Sequence, residues 1–168
     1  MTASHERHSI VSRGLLLTFT TAIILLNARI LGAEGQGEIA WIQLGILVVT
    51  GVSGFLAGGA VVYLQKEIPL RSMLLPGHVW LVASAMGGTW AGTSAEFLPE
   101  QHFWAMAGLG WLQGTVIFHS QLLLANHRIR QHNLLQVLQG GLLCAGLVVM
   151  FYGVQNQSVD AFIGALTL

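Results

Sequence analysis

Long stretches without a charged side chain dominate this sequence. Glu38 and Lys66 bracket 27 uncharged residues, and three later runs between charged residues hold 24, 27 and 29 residues. A helix needs about 20 apolar residues, each rising about 1.5 Å, to cross the hydrocarbon core of a bilayer. Each of these runs is long enough to do so. A run of 15 residues between Arg13 and Arg29 reaches that length if both arginines extend their charged ends toward the interface.

The composition argues against a water-soluble fold. Hydrophobic residues make up 54% of the chain and charged residues 8%, whereas soluble domains carry about 25% charged residues. The run that follows Glu38 contains 13 Ile, Leu, Val or Phe residues, which together contribute roughly −4 to −8 kcal/mol to membrane insertion. The sequence therefore predicts an all-α, polytopic membrane helix bundle.

We expect a single transmembrane bundle over residues 1–168 with five spans and the start of a sixth. The residues after Asp160 are uncharged and largely apolar, but eight residues make only about 12 Å of helix. We therefore expect a truncated sixth helix there, with an amphipathic surface tail as the alternative. The predicted spans cover residues 10–31, 39–64, 73–95, 102–125 and 134–154, and the truncated helix covers 159–168.

Basic residues set the expected orientation. Six of the seven fall before the first span or in alternate connections between spans, and Arg29 is the exception. Because cytoplasmic loops carry the excess of Lys and Arg, we predict a cytoplasmic N-terminus. The six are Arg7, Arg13, Lys66, Arg71, Arg128 and Arg130.

Glycines suggest how the chain turns and how its helices touch. Residues 31–38 contain three glycines and two glutamates, which predicts a glycine-rich hairpin outside the membrane. Small residues also recur within the spans, where they let helix backbones approach closely. The predicted contact positions are Gly51, Gly54 and Gly58 on the second helix, Ser84, Gly88 and Gly92 on the third, and Gly110 and Gly114 on the fourth.

The sequence contains no pattern typical of an enzyme. It has no nucleophile–base arrangement, no phosphate-binding glycine loop and a single cysteine, Cys144. We therefore predict no catalytic residues, no metal site and no cofactor. The net charge of zero gives no global field that would attract nucleic acid.

Polar residues inside the spans are the candidate cavity residues, because burying them in lipid is costly. Arg29 is an interfacial arginine or a contact for an anion in a cavity. Asn27 lies about 200° away around the helix, so both cannot line one cavity, and we favour Arg29. Gln43 and Gln113 are interpreted as hydrogen-bonding partners between helices or as cavity residues.

His78 and His119 lie several residues from the predicted cytoplasmic ends of the third and fourth spans. We therefore expect them at similar depth on antiparallel neighbours. Each shares a helix face with small or polar residues, which indicates an inward orientation. Three interpretations remain open: buried hydrogen-bonded histidines, cavity-lining residues, or a bis-histidine haem site.

Three segments resemble a known family. They are ARILGAEGQGE at 28–38, VVYLQK at 61–66, and the connection 122–133 with Asn126, Arg128 and Asn133. The first is similar to the signature that links the first two helices of polysaccharide-biosynthesis transporters. These are the O-antigen-type flippases of the multidrug/oligosaccharidyl-lipid/polysaccharide exporter superfamily. Ala33 stands where proline is commoner.

The resemblance implies a transporter with two bundles of about six helices around a cavity that opens alternately to each side. Such a protein lies in the bacterial inner (plasma) membrane and flips lipid-linked oligosaccharide or polysaccharide repeat units. This chain would form the N-terminal bundle, with Arg29 as a contact for the lipid phosphate. The implied partners are membrane lipids, the lipid-linked substrate, and a glycan polymerase or other assembly protein. The alternatives are an ion-coupled small-molecule exporter of the same superfamily and a non-catalytic membrane subunit.

Overall fold

The computed structural model of this protein describes residues 3–57, 59–65, 67–96, 98, 100–155 and 158–166. Within these residues there is no strand, and helix accounts for 91% of the chain. The predicted all-α class is therefore confirmed. Gly58, Lys66 and residues 167–168, which the sequence arguments used, lie outside the described residues.

Six helices follow one another along the described chain. A 3₁₀ turn at Glu100–His102 leads into the fourth, and a π-helical turn at Val149–Gly153 continues the fifth. The helices are α1 (Ala3–Ala57), α2 (Gly59–Leu64), α3 (Leu70–Ser94), α4 (Phe103–Ala125), α5 (Ile129–Val148) and α6 (Val159–Leu166).

The predicted glycine-rich hairpin at 31–38 is wrong. Residues on both sides of Gly32 are helical, and Gly32 alone departs from helical geometry, with φ 68° and ψ −168°. This combination of angles is accessible essentially to glycine only. The helix is kinked here, and a Cβ built on Gly35 would lie 2.6 Å from the Cβ of Leu31. A single residue thus replaces the expected loop.

The chain divides into two compact units, and α1 contributes to both. The terminal unit consists of Met1–Ile39 and Ile129–Leu168, and the central unit is Ala40–Arg128. The single transmembrane bundle over residues 1–168 stays a prediction.

The core of the terminal unit is built on aromatic residues from its C-terminal half. Phe151, in the π-helical turn, and Phe162, on α6, are both fully buried. They pack with Ile23 and Ile39 of α1 and with Leu147 of α5. The π-helical turn therefore contributes directly to this core.

The core of the central unit depends on close approach at glycines. Val49 of α1 is fully buried and lies between two helices that each present a glycine. Its Cγ2 would be 3.3 Å from a Cβ on Gly88 of α3, and its Cγ1 would be 2.6 Å from a Cβ on Gly110 of α4. The two glycines therefore let α3 and α4 pack closely on the Val49 side chain.

The other predicted contact positions have different outcomes on α1 than on α3 and α4. Gly114 of α4 packs on Leu81 of α3, so this predicted contact is confirmed together with those of Gly88 and Gly110. Gly92 packs on Leu98, which follows α3 in the chain, so Gly92 does not mark a contact between helices. A Cβ on Gly51 or Gly54 would meet no described atom within 4 Å. Those two positions on α1 do not mark a contact.

Two segments of the described chain are long and apolar enough to cross a membrane, Ser9–Gly54 and Ile129–Gly153. In the most apolar stretch of each, only 11% and 17% of the residues are buried. Helices α3 and α4 do not reach the same hydropathy. The five spans and the cytoplasmic N-terminus stay predictions.

Candidate functional site

The six predicted cavity residues fall in both units. Asn27 and Arg29 belong to the terminal unit, and the other four belong to the central unit. The four are Gln43, His78, Gln113 and His119.

Asn27 and Arg29 face opposite ways, as their spacing along the helix requires. Asn27 is 1% exposed, whereas Arg29 is exposed. The inward residue of this pair is therefore Asn27, although the sequence argument favoured Arg29. The Asn27 Oδ1 has no hydrogen-bond partner among the described residues. A buried acceptor left unpaired costs about 1–3 kcal/mol.

The two glutamines differ in their surroundings. Gln43 is exposed on α1, whereas Gln113 is half-buried on α4. Their predicted role between helices stays a prediction.

The structure brings His78 of α3 and His119 of α4 together. Their ring centroids are 5.5 Å apart and their planes meet at 69°. Phe118 contacts both rings edge to face, with centroid distances of 5.6 Å to His78 and 5.7 Å to His119. We call this pair of imidazoles the histidine pair. His78 is half-buried and His119 is exposed, so the pair is accessible from outside the central unit.

The carbonyl oxygens of the preceding helical turns fix the proton on each ring. The Nδ1 of His78 lies 2.8 Å from the carbonyl oxygen of Leu74, and the Nδ1 of His119 lies 2.9 Å from that of Thr115. A carbonyl oxygen only accepts hydrogen bonds, so Nδ1 is the donor in both rings. In the neutral imidazoles, Nε2 then holds the lone pair.

A bis-histidine haem does not fit this arrangement. Such a haem places its two imidazoles on opposite faces of the porphyrin. Here the two rings contact each other directly at their edges, which leaves no gap between them for a macrocycle.

A polar cluster that the sequence did not single out lies nearby in the central unit. Ser53 and Ser84 share a hydrogen bond of 2.7 Å, and the indole Nε1 of Trp80 donates to the Ser53 carbonyl oxygen at 3.2 Å. Both serines are buried. Ser84 was recognised as a small contact residue, but nothing in the sequence shows which serine of α1 faces it.

A shallow depression of about 300 Å³ lies where α3 approaches the start of α4. No sequence pattern indicates this depression, because it depends on the path of the connection between the two helices. Its lining residues are Trp90, Thr93, Ser94, Glu100 and Phe103.

The described residues contain no group of three or more His, Cys, Asp or Glu that could hold a metal ion. Comparisons of the chain with protein-family models, with curated proteins and with solved structures find no match.

Proposed function

We propose that this chain is a bilayer-embedded helix bundle. We further propose that it acts as the N-terminal bundle of a transporter that flips lipid-linked oligosaccharides across the bacterial inner membrane.

The observation that carries the bilayer proposal is the exposure of the most apolar helices. In the most apolar stretches of the two long segments, 11% and 17% of the residues are buried, whereas the core helix of a soluble protein is mostly buried. Large side chains such as Leu17 (70% exposed), Leu75 (74%) and Trp104 (75%) point outward. In a bilayer, lipid would cover these side chains.

The transport proposal rests on the resemblance of residues 28–38 and on the exposed Arg29 within that segment. Arg29 lies near the break at Gly32, where its guanidinium can bind a phosphate with two parallel hydrogen bonds. A substrate with a charged phosphate matches this side chain. Asn27, two residues earlier, is buried on the opposite face of the helix and is not part of the proposed phosphate contact.

The orientation can be tested with single cysteines introduced into a Cys144→Ser chain. Under the proposal, Glu34→Cys and Arg71→Cys are labelled by a membrane-impermeant maleimide from opposite sides of sealed vesicles. Labelling of both from the same side would contradict the proposed topology.

Substrate recognition can be tested by binding in lipid nanodiscs, using a fluorescent polyprenyl-pyrophosphate oligosaccharide as the probe. Loss of a charge-assisted hydrogen bond costs about 1.5–3 kcal/mol, so we expect Arg29→Gln to weaken binding by about 10- to 150-fold. Arg13→Gln is the matched control. Arg13 is also exposed on α1, but it lies at the opposite end of the first predicted span, 10–31. Equal binding by both variants, or equal binding of a phosphate-free glycolipid, would refute the proposed recognition.

A further inference from the structure

We propose that the histidine pair, His78 and His119, is a two-imidazole binding site for a divalent transition-metal ion on helices α3 and α4. This site does not depend on the transport proposal, because it is argued from the contacts within the central unit.

The hydrogen bonds of the two rings assign the lone pair to the same nitrogen in each. Metal-binding histidines almost always donate their other ring N–H to a carbonyl or carboxylate oxygen, which fixes the tautomer and the ring orientation. Both rings do this, through Nδ1 to Leu74 and to Thr115, at 2.8 and 2.9 Å. In the neutral form of each ring, Nε2 is therefore the nitrogen with the lone pair.

The spacing of the two rings matches that of two imidazoles on one ion. Zn²⁺–N bonds are about 2.0 Å long, and with roughly 1.2 Å from nitrogen to ring centre, two imidazoles on one tetrahedral ion have centroids about 5.2 Å apart. The observed separation of the ring centroids is 5.5 Å.

A buried aromatic ring supports both imidazoles. Phe118 is 1% exposed and contacts His78 and His119. A Cβ on Gly77 would lie 2.6 Å from the Phe118 ring, so this ring is tightly packed against α3. The contacts with Phe118 therefore restrict the movement of both histidine rings.

The ligand set selects a class of ion. With two imidazoles and no third His, Cys, Asp or Glu in a group with them among the described residues, water or another small ligand would complete the coordination. Neutral imidazole suits Zn²⁺, Cu²⁺ and Ni²⁺, and affinity is highest for Cu²⁺. Cu²⁺ alone is therefore the appropriate probe.

The test is Cu²⁺ titration of the full chain in detergent, followed by electron paramagnetic resonance. His5 and His8 lie three residues apart near the N-terminus and could themselves bind copper, so they are first changed to glutamine. In this background we expect one Cu²⁺ per chain with two imidazole nitrogens in its spectrum. A spectrum with one imidazole nitrogen, or no bound copper, would overturn the proposal. This measurement leaves His78 and His119 unsubstituted, so its result does not depend on how a variant of the pair folds.

Single variants then identify the ligands. A second ligand on the same protein acts at a high effective concentration, so His78→Gln and His119→Gln should each weaken binding by about tenfold or more. The double variant should bind no more tightly than either single variant. His132→Gln, on α5, is the control and should leave the affinity unchanged.

The exposed position of His119 keeps this test decisive if His78→Gln fails to fold. Unchanged copper affinity in His119→Gln would refute the site. Failure of the metal site would leave the transport proposal intact, since oligosaccharide binding is tested at Arg29.

Discussion

Replacing Gly110 by alanine tests the packing that holds the central unit together. The added Cβ would lie 2.6 Å from the Val49 Cγ1, and the other methyl of Val49 already faces Gly88. Because Val49 is fully buried between these glycines, neither methyl can rotate away. Overpacking of this kind costs about 1–3 kcal/mol. The helix propensity of alanine offsets up to about 1 kcal/mol of that cost.

A matched variant separates the effect of the clash from the effect of helix propensity. Gly108 lies on the same helix, and a Cβ there would meet no described atom within 4 Å. Gly108→Ala gains the same propensity without the clash. We therefore expect Gly110→Ala to be less stable than Gly108→Ala by about 1–3 kcal/mol.

The comparison can be made by following unfolding in detergent with circular dichroism. Adding Val49→Ala to Gly110→Ala should recover part of the loss, because it removes the methyl that the new Cβ meets, and neighbouring residues couple by about 0.5–3 kcal/mol. Equal stability of Gly110→Ala and Gly108→Ala would refute the interpretation of Val49 as a wedge between α3 and α4.

Three further changes test the terminal unit by the same unfolding measurement. Gly32→Ala should lower the free energy of unfolding by about 1–3 kcal/mol, because the backbone angles of Gly32 exclude a Cβ. Gly37→Ala, at a helical position, should cause no loss. Equal effects of the two changes would show that the break at Gly32 is not required. Phe151→Ala should cost about 3–5 kcal/mol because the ring is buried in the core, and a loss no larger than that of Tyr152→Ala, whose side chain is 60% exposed, would contradict the core assignment. Asn27→Leu should be neutral or stabilising, because it removes an unpaired buried acceptor, and a loss above about 1 kcal/mol would show that Oδ1 has a partner.

The helix positions were predictable because charged residues and helix ends coincide in much of this chain. Helix α4 (Phe103–Ala125) covers nearly the same residues as the span predicted at 102–125, and α3 (Leu70–Ser94) nearly the same residues as that predicted at 73–95. That these two helices cross a membrane stays a prediction. The prediction was poorer where polar residues continue a helix. Helix α5 begins at Ile129, five residues before the predicted start, because Arg130 and His132 lie inside its first turns.

The segment 31–38 shows what composition cannot resolve. Three glycines and two glutamates are typical of a loop, yet glycine is tolerated in a helix at a cost of about 1 kcal/mol relative to alanine. Of these glycines, Gly32 alone has a positive φ. The sequence indicates that the chain changes direction there, but it cannot indicate which of the glycines provides the change.

The proximity of two candidate residues was predictable when they lay at similar distances from their helix ends. Which face of a helix points inward was harder to predict. His78 and His119 could be paired from their distances to the helix ends alone. Helical geometry placed Asn27 and Arg29 on opposite faces, but it did not indicate which of the two faces is buried. In a soluble helix, the apolar side identifies the interior. A chain as apolar as this one has large hydrophobic residues on both sides, so polarity alone does not orient its helices. Buried small and amide side chains such as Gly110 and Asn27 do orient them, because tight packing and desolvation act only where another helix is close.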